Sequence, residues 1–116
     1  MTIERHETGP RMSKVVVHGS TVYLSGIVAD RAKGATMTEQ ARDILGQIDA
    51  LLAKAGTDKT KLLSANIWIT DMAEFAAMNA VWDSWVVPGH TPARATVEAR
   101  LAAPDYKVEI MVVAAR

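Results

Sequence analysis

A chain of 116 residues is long enough for one domain with its own core and too short for two. Its 13 basic and 13 acidic residues balance, so the basic excess of a dedicated nucleic-acid binder is missing. Cysteine is absent, which excludes disulfides, thiol catalysis and thiolate metal sites and fits a reducing cytoplasm. The opening "MTIERHETGP" is too polar for a secretion signal, and no apolar run approaches the roughly 20 residues a membrane helix needs.

Residues 1–12 show no period and read as an arm or irregular edge. "SKVVVHGSTVYLSG" follows as two short β-branched strands about a His18-Gly19-Ser20 turn. "IVADRAKGATM" reads as a loop. Thr36 and Glu39 then stand at capping-box spacing. Ala41, Ile44, Leu45, Ile48, Leu52 and Ala55 repeat on one helical face, and Gly56 is placed for a left-handed cap. "KLLSANIWIT" alternates Leu63, Ala65, Ile67 and Ile69 with Ser64, Asn66, Trp68 and Thr70, as a strand does.

Asp71 and Glu74 repeat the capping spacing before a second helix with the stripe Phe75, Met78, Trp82 and Trp85, ended by Pro88-Gly89. "TPARATVEARL" alternates Arg94, Thr96, Glu98 and Arg100 with Ala95, Val97, Ala99 and Leu101. "KVEIMVVAA" closes the chain as an apolar strand. No linker or low-complexity segment interrupts this order, so residues 1–116 are expected to form a single α+β domain, with two helices on one face of a sheet. Strands joined through a helix should run parallel. The uncovered face would carry Trp68, Met111 and Val113 or their neighbours of opposite parity, and an open apolar face is expected to be an oligomer interface.

His6, His18 and His90 fall in an arm, a turn and a loop, without the spacing of a metal site. Ser25-Gly26 lacks the surroundings of a nucleophile elbow and reads as a turn. The three tryptophans read as core. Arg94 and Glu109 stand out: a planar cation at the mouth of one strand and a lone carboxylate among apolar residues of the next. They suit either carboxylate binding and proton transfer or a salt bridge between neighbouring strands.

The ordered series "YLSG", "EQARDILGQIDALLAKAG", "ANIWITDMAEFAAMN", "TPARATVEARL" and "KVEIMVVAA" resembles the RidA/YjgF family of reactive-intermediate (enamine/imine) deaminases. It spans about Gly9 to Ala115, and P-x-R followed by V-E-I is its most specific part. The resemblance implies a chorismate-mutase-like α+β fold and a homotrimer whose open sheet faces meet, with clefts between subunits. It also implies hydrolysis of 2-imino or enamine acids, released by pyridoxal-phosphate enzymes, to 2-oxo acids and ammonia without cofactor or metal.

The family's carboxylate-binding arginine falls on Arg94 and its water-activating glutamate on Glu109. Gly26 and Thr96 match positions lining the cleft, and Asn79 matches the asparagine of the second helix. Three departures concern the substrate side: Arg11 and Met12 stand where many members have tyrosine, Ile27 where many have glutamine, and Thr96 where some have cysteine. Two rival expectations accompany this one, a trimer that binds ligands without turnover and an RNA-acting protein. The neutral charge and the lack of a basic–aromatic stripe argue against the second.

Overall fold

The computed structural model describes residues 1–116. Its elements are β1 (Ile3–Thr8), β2 (Ser13–His18), β3 (Thr21–Leu24), β4 (Ile27–Val28), α1 (Met37–Lys54), β5 (Leu62–Ile69), α2 (Phe75–Trp85), β6 (Ala93–Glu98) and β7 (Val108–Ala115). The strands form one sheet in the order β1-β2-β3-β7-β5-β6, with β4 pairing β7 beyond the end of β3. Only β5 and β6, joined through α2, lie side by side in parallel. Strands β4 and β5, joined through α1, both run antiparallel to β7 and so share a direction without touching.

Helix α1 forms as its local sequence dictates. Thr36 Oγ1 accepts the Glu39 N–H at 3.2 Å, and the chain leaves the helix through Gly56 at φ 80°. That angle suits glycine, which has no Cβ to clash. All six apolar stripe residues are buried. Helix α2 lies alongside, and the Trp85 indole N–H donates to the Asp49 carboxylate of α1 at 3.1 Å. The stripe of α2 is Met78, Val81, Trp82 and Trp85; Phe75 remains 36% exposed at the helix start. Asp71 caps a single 3-10 turn through the Ala73 N–H, and α2 begins after it, so the second capping box is replaced by a simpler cap.

The core is one cluster of 26 buried apolar residues between the helices and the inner sheet face. Each large aliphatic side chain fully buried there contributes about 1.5–3 kcal/mol. Gln40 is buried with them: its Nε2 donates to the Ala35 and Asp105 carbonyls and its Oε1 accepts the Lys107 N–H. This amide ties the loop before β7 to α1.

Three expectations are corrected. Residues 3–8 are a paired edge strand, because β2 supplies a ladder for a segment with no apolar period of its own. Ile27 and Val28 inside the expected loop pair with Ile110 and Glu109. Leu63 is 51% exposed rather than inward, because an irregularity between Leu62 and Ser64 shifts the register and puts Leu62 inside.

Register fixes the two faces. Ala65 on β5 lies between Arg94 and Val112, Ile67 between Thr96 and Ile110, and Ile69 between Glu98 and Val108; this row faces the helices. Trp68 lies between Val97 and Glu109, Asn66 between Ala95 and Met111, and Ser64 between Ala93 and Val113. Val113 continues to Tyr23 and Val16. No element of the chain covers this second row, and Val97 and Tyr23 are 49% and 48% exposed. The uncovered face thus carries Trp68, Met111 and Val113, as the alternation of the strands suggests.

Candidate functional site

Arg94 is the second residue of β6, at the free edge of the sheet. Its parity turns it toward α2, where its Nη1 donates to Asn79 Oδ1 at 2.8 Å. Its guanidinium carbon lies 5.5 Å from the Trp82 ring centre and 5.9 Å from that of Phe75. Thr96, two residues on, shares this face, and its buried hydroxyl has no hydrogen-bond partner within the subunit.

Glu109 occupies the opposite face. It sits on β7 between Trp68 and Val28, half-buried, over Gly26. A Cβ on residue 26 would overlap the Glu109 carboxylate, so glycine is what lets that carboxylate lie against the backbone between β3 and β4. The neighbouring Ser25 hydroxyl is also buried without a partner. A shallow depression of about 280 Å³ next to Glu109 is lined by Trp68, Ala99, Arg100, Leu101 and Ala102.

The structure therefore gathers Arg94, Asn79 and Thr96 at one place and Glu109 and Gly26 at another. Positions 94 and 109 differ in parity across the paired strands, and β5 lies between them. The salt-bridge alternative is overturned on this ground: none of the five ion pairs within the subunit includes either residue. Two charged side chains on opposite faces of one sheet cannot grip one small molecule.

Ser25, Phe75 and Trp82 stand at these two places without a site signal in the sequence, as do Trp68 and residues 99–102 beside Glu109. Ser25 reads as a turn residue, and the two aromatics read as core because their helical period does suit a core. The buried, unpaired state of the Ser25 hydroxyl is visible only in the fold. An unmade hydrogen bond of this kind costs about 1–3 kcal/mol, which makes both hydroxyls candidates for ligand contact. Ile27, where many resembling sequences have glutamine, is 3% exposed in the core and pairs with Ile110. Met12 is half-exposed beside the β1–β2 turn.

Carboxylates with perturbed titration lie elsewhere. Glu4 is held below its ordinary range by hydrogen bonding to and the charge of Arg116, Glu7 by those of Lys54, and Asp58 by hydrogen bonds from Thr60. No three His, Asp or Glu side chains converge as metal ligands would. No helix is long and apolar enough to cross a membrane.

Known proteins share this architecture. The chain is 48% identical over 115 residues to the RutC family protein YoaB of Escherichia coli K12, covering 99% of each chain. It is 43% identical over 114 residues to a RutC family protein of Haemophilus influenzae, covering 98% of each. The crystal structure of NMB1025, a YjgF-family member from Neisseria meningitidis, superposes with a TM-score of 0.96 at 46% identity, over 100% of this chain and 96% of that one. YyfA of the Rid protein family from Yersinia pestis superposes with a TM-score of 0.86 at 28% identity, over 94% and 90%. Residues 2–116 match the family described as Endoribonuclease L-PSP, and with these relatives they establish that the chain belongs to the YjgF/RidA family.

Proposed function

We propose that the protein hydrolyses reactive 2-imino and enamine acids to 2-oxo acids and ammonia, in clefts between the subunits of a homotrimer. The observation that carries this reading is the placement of Arg94 and Glu109 on opposite faces of one sheet, beside an uncovered surface bearing Trp68, Met111, Val113 and Val97. Apposed copies would bury that surface and bring the Arg94 edge of one subunit against the Glu109 face of the next.

In such a cleft Arg94 holds the substrate carboxylate through two parallel N–H bonds. Glu109 accepts a proton from a water as its oxygen attacks the imine carbon. The C=N bond becomes a C–N single bond in a carbinolamine, and Glu109 passes the proton it took from the water to the nitrogen. Glu109, ionised again, takes the proton of the carbinolamine hydroxyl and delivers it to the departing nitrogen as the C–N bond breaks and the C=O of the 2-oxo acid forms. The net change is imino acid plus water to 2-oxo acid plus ammonia, so this route calls for no metal or organic cofactor.

General acid–base help of this kind typically contributes about 10²- to 10⁴-fold. Backbone groups at Gly26 and the Thr96 side chain complete the substrate side, and Asn79 acts there through Arg94. The expected ligand is a small imino acid or another carboxylate, and the expected compartment is the cytoplasm. The family description names a ribonuclease, but the net charge of zero lacks the basic excess that a dedicated RNA binder carries.

The test is ammonia release from imino acids generated in place by an amino-acid oxidase. The protein should speed release above the spontaneous rate. Binding of the corresponding 2-oxo acid with no gain in rate would replace this reading with that of a ligand-binding trimer.

A further inference from the structure

Arg94 is held by three side chains from a single helix. Phe75, Asn79 and Trp82 stand at positions i, i+4 and i+7 of α2 and form one stripe facing the β6 edge. An arginine offers only donors, so the Asn79 amide must present its oxygen, and the 2.8 Å bond to Nη1 uses one of five N–H groups. The rings of Trp82 and Phe75, at 5.5 and 5.9 Å from the guanidinium carbon, face the charge without taking part in an ion pair. An acidic side chain there would hold the guanidinium equally well, but it would neutralise it. A neutral amide and two π faces fix its plane and leave its charge and remaining donors for a ligand.

We propose that Phe75, Asn79 and Trp82 are positioning residues: an aromatic–amide cradle that presets the plane of Arg94 for two-point capture of a carboxylate. This inference rests on the assignment of Arg94 as the carboxylate anchor. Side-chain entropy sets its value, since an arginine fixed in advance loses less freedom when the ligand arrives.

Phe75 is the residue to change, because its ring is 36% exposed while Trp82 is 5% exposed and supports the core. In Phe75→Leu, of similar bulk without a π face, KM for imino acids should rise about two- to fivefold at nearly unchanged kcat, the signature of weakened uniform binding. Phe75→Tyr should restore the parental value. A carboxylate-free imine should be indifferent to both changes. Titration with 2-oxobutanoate should show the same order of affinities whether or not the protein turns over, which separates failure of the cradle from failure of the hydrolase reading.

Nitrogen-15 spectra of the guanidinium supply a readout that needs no ligand: hindered rotation at Arg94 in the parent and faster rotation in Phe75→Leu. Freely rotating Arg94 in the parent would overturn the proposal. So would a Phe75→Leu protein with parental KM and 2-oxobutanoate affinity, or a Phe75→Tyr protein as impaired as Phe75→Leu.

Discussion

Gly26→Ala probes the base without replacing it. Gly26 does not adopt a positive φ, so alanine meets no backbone strain. The added methyl would overlap the Glu109 carboxylate, with the carboxyl carbon at 3.0 Å and Cγ at 3.4 Å. The obstacle is the end of a flexible, half-buried side chain, and Glu109 yields before the backbone does. Turning it off its rotamer costs on the order of 0.5–1.5 kcal/mol, and forcing the neighbours apart instead costs about 1–3 kcal/mol. The fold therefore survives, with melting lowered by a few degrees.

A displaced carboxylate no longer meets the attacking water, and turnover should fall by about 10²- to 10⁴-fold, the range of general-base help. The assay is ammonia release, measured together with thermal melting. A second arm adds Gly26→Ala to Glu109→Gln. If the methyl acts through Glu109, the double variant should be little slower than Glu109→Gln alone. A Gly26→Ala protein turning over at the parental rate would refute the argument that the Glu109–Gly26 contact sets the position of the base.

Glu109→Gln should retain fold, assembly and 2-oxo acid binding and lose about 10²- to 10⁴-fold in turnover; parental turnover would assign the base elsewhere. Arg94→Lys preserves charge but not the planar fork and should lower kcat/KM about ten- to a hundredfold for imino acids while sparing a carboxylate-free imine. Equal effects on both substrates would show that Arg94 does not hold the carboxylate. Gln40→Leu leaves the Lys107 N–H and the Ala35 carbonyl unpaired beside the core, with the Asp105 carbonyl keeping only the Gly34 N–H, and should destabilise by about 1–3 kcal/mol in denaturant melts. Lys54→Met removes the partner of Glu7, whose carboxyl is held below its ordinary 4.5. A lowered carboxylate pKa stabilises the fold above the unfolded value and ceases to do so as pH falls through the native one. The gap between parent and Lys54→Met should therefore be widest near neutrality and close in acid, as denaturant midpoints at the two pH values would show.

Helix α1 was legible because its signals are local: a cap, a 3.6-residue stripe and a terminal glycine within about twenty positions. Strand β1 was not, because "IERHET" alternates nothing apolar and becomes a strand only by pairing with β2. Gln40 lies on the buried side of an amphipathic helix against the usual pattern, and its partners are as far as 67 residues along the chain. Arg94 and Glu109 were recognisable by type and by resemblance. Their separation on two faces was not, since it depends on β5 lying between β6 and β7. The Gly26–Glu109 contact joins residues that no sequence window holds together.

In the proposed trimer each cleft takes Arg94 from one subunit and Glu109 from another. Arg94→Ala and Glu109→Gln chains, each inactive alone, would be co-expressed with different tags, and only trimers carrying both tags recovered. Around such a ring about one cleft in three joins an intact Arg94 to an intact Glu109. Shared clefts should release ammonia at about one-third of the parental rate per trimer, by the same count of clefts. Mixed trimers as inactive as the two parents would contradict this sharing, because they would show that both residues of a working site come from the same chain.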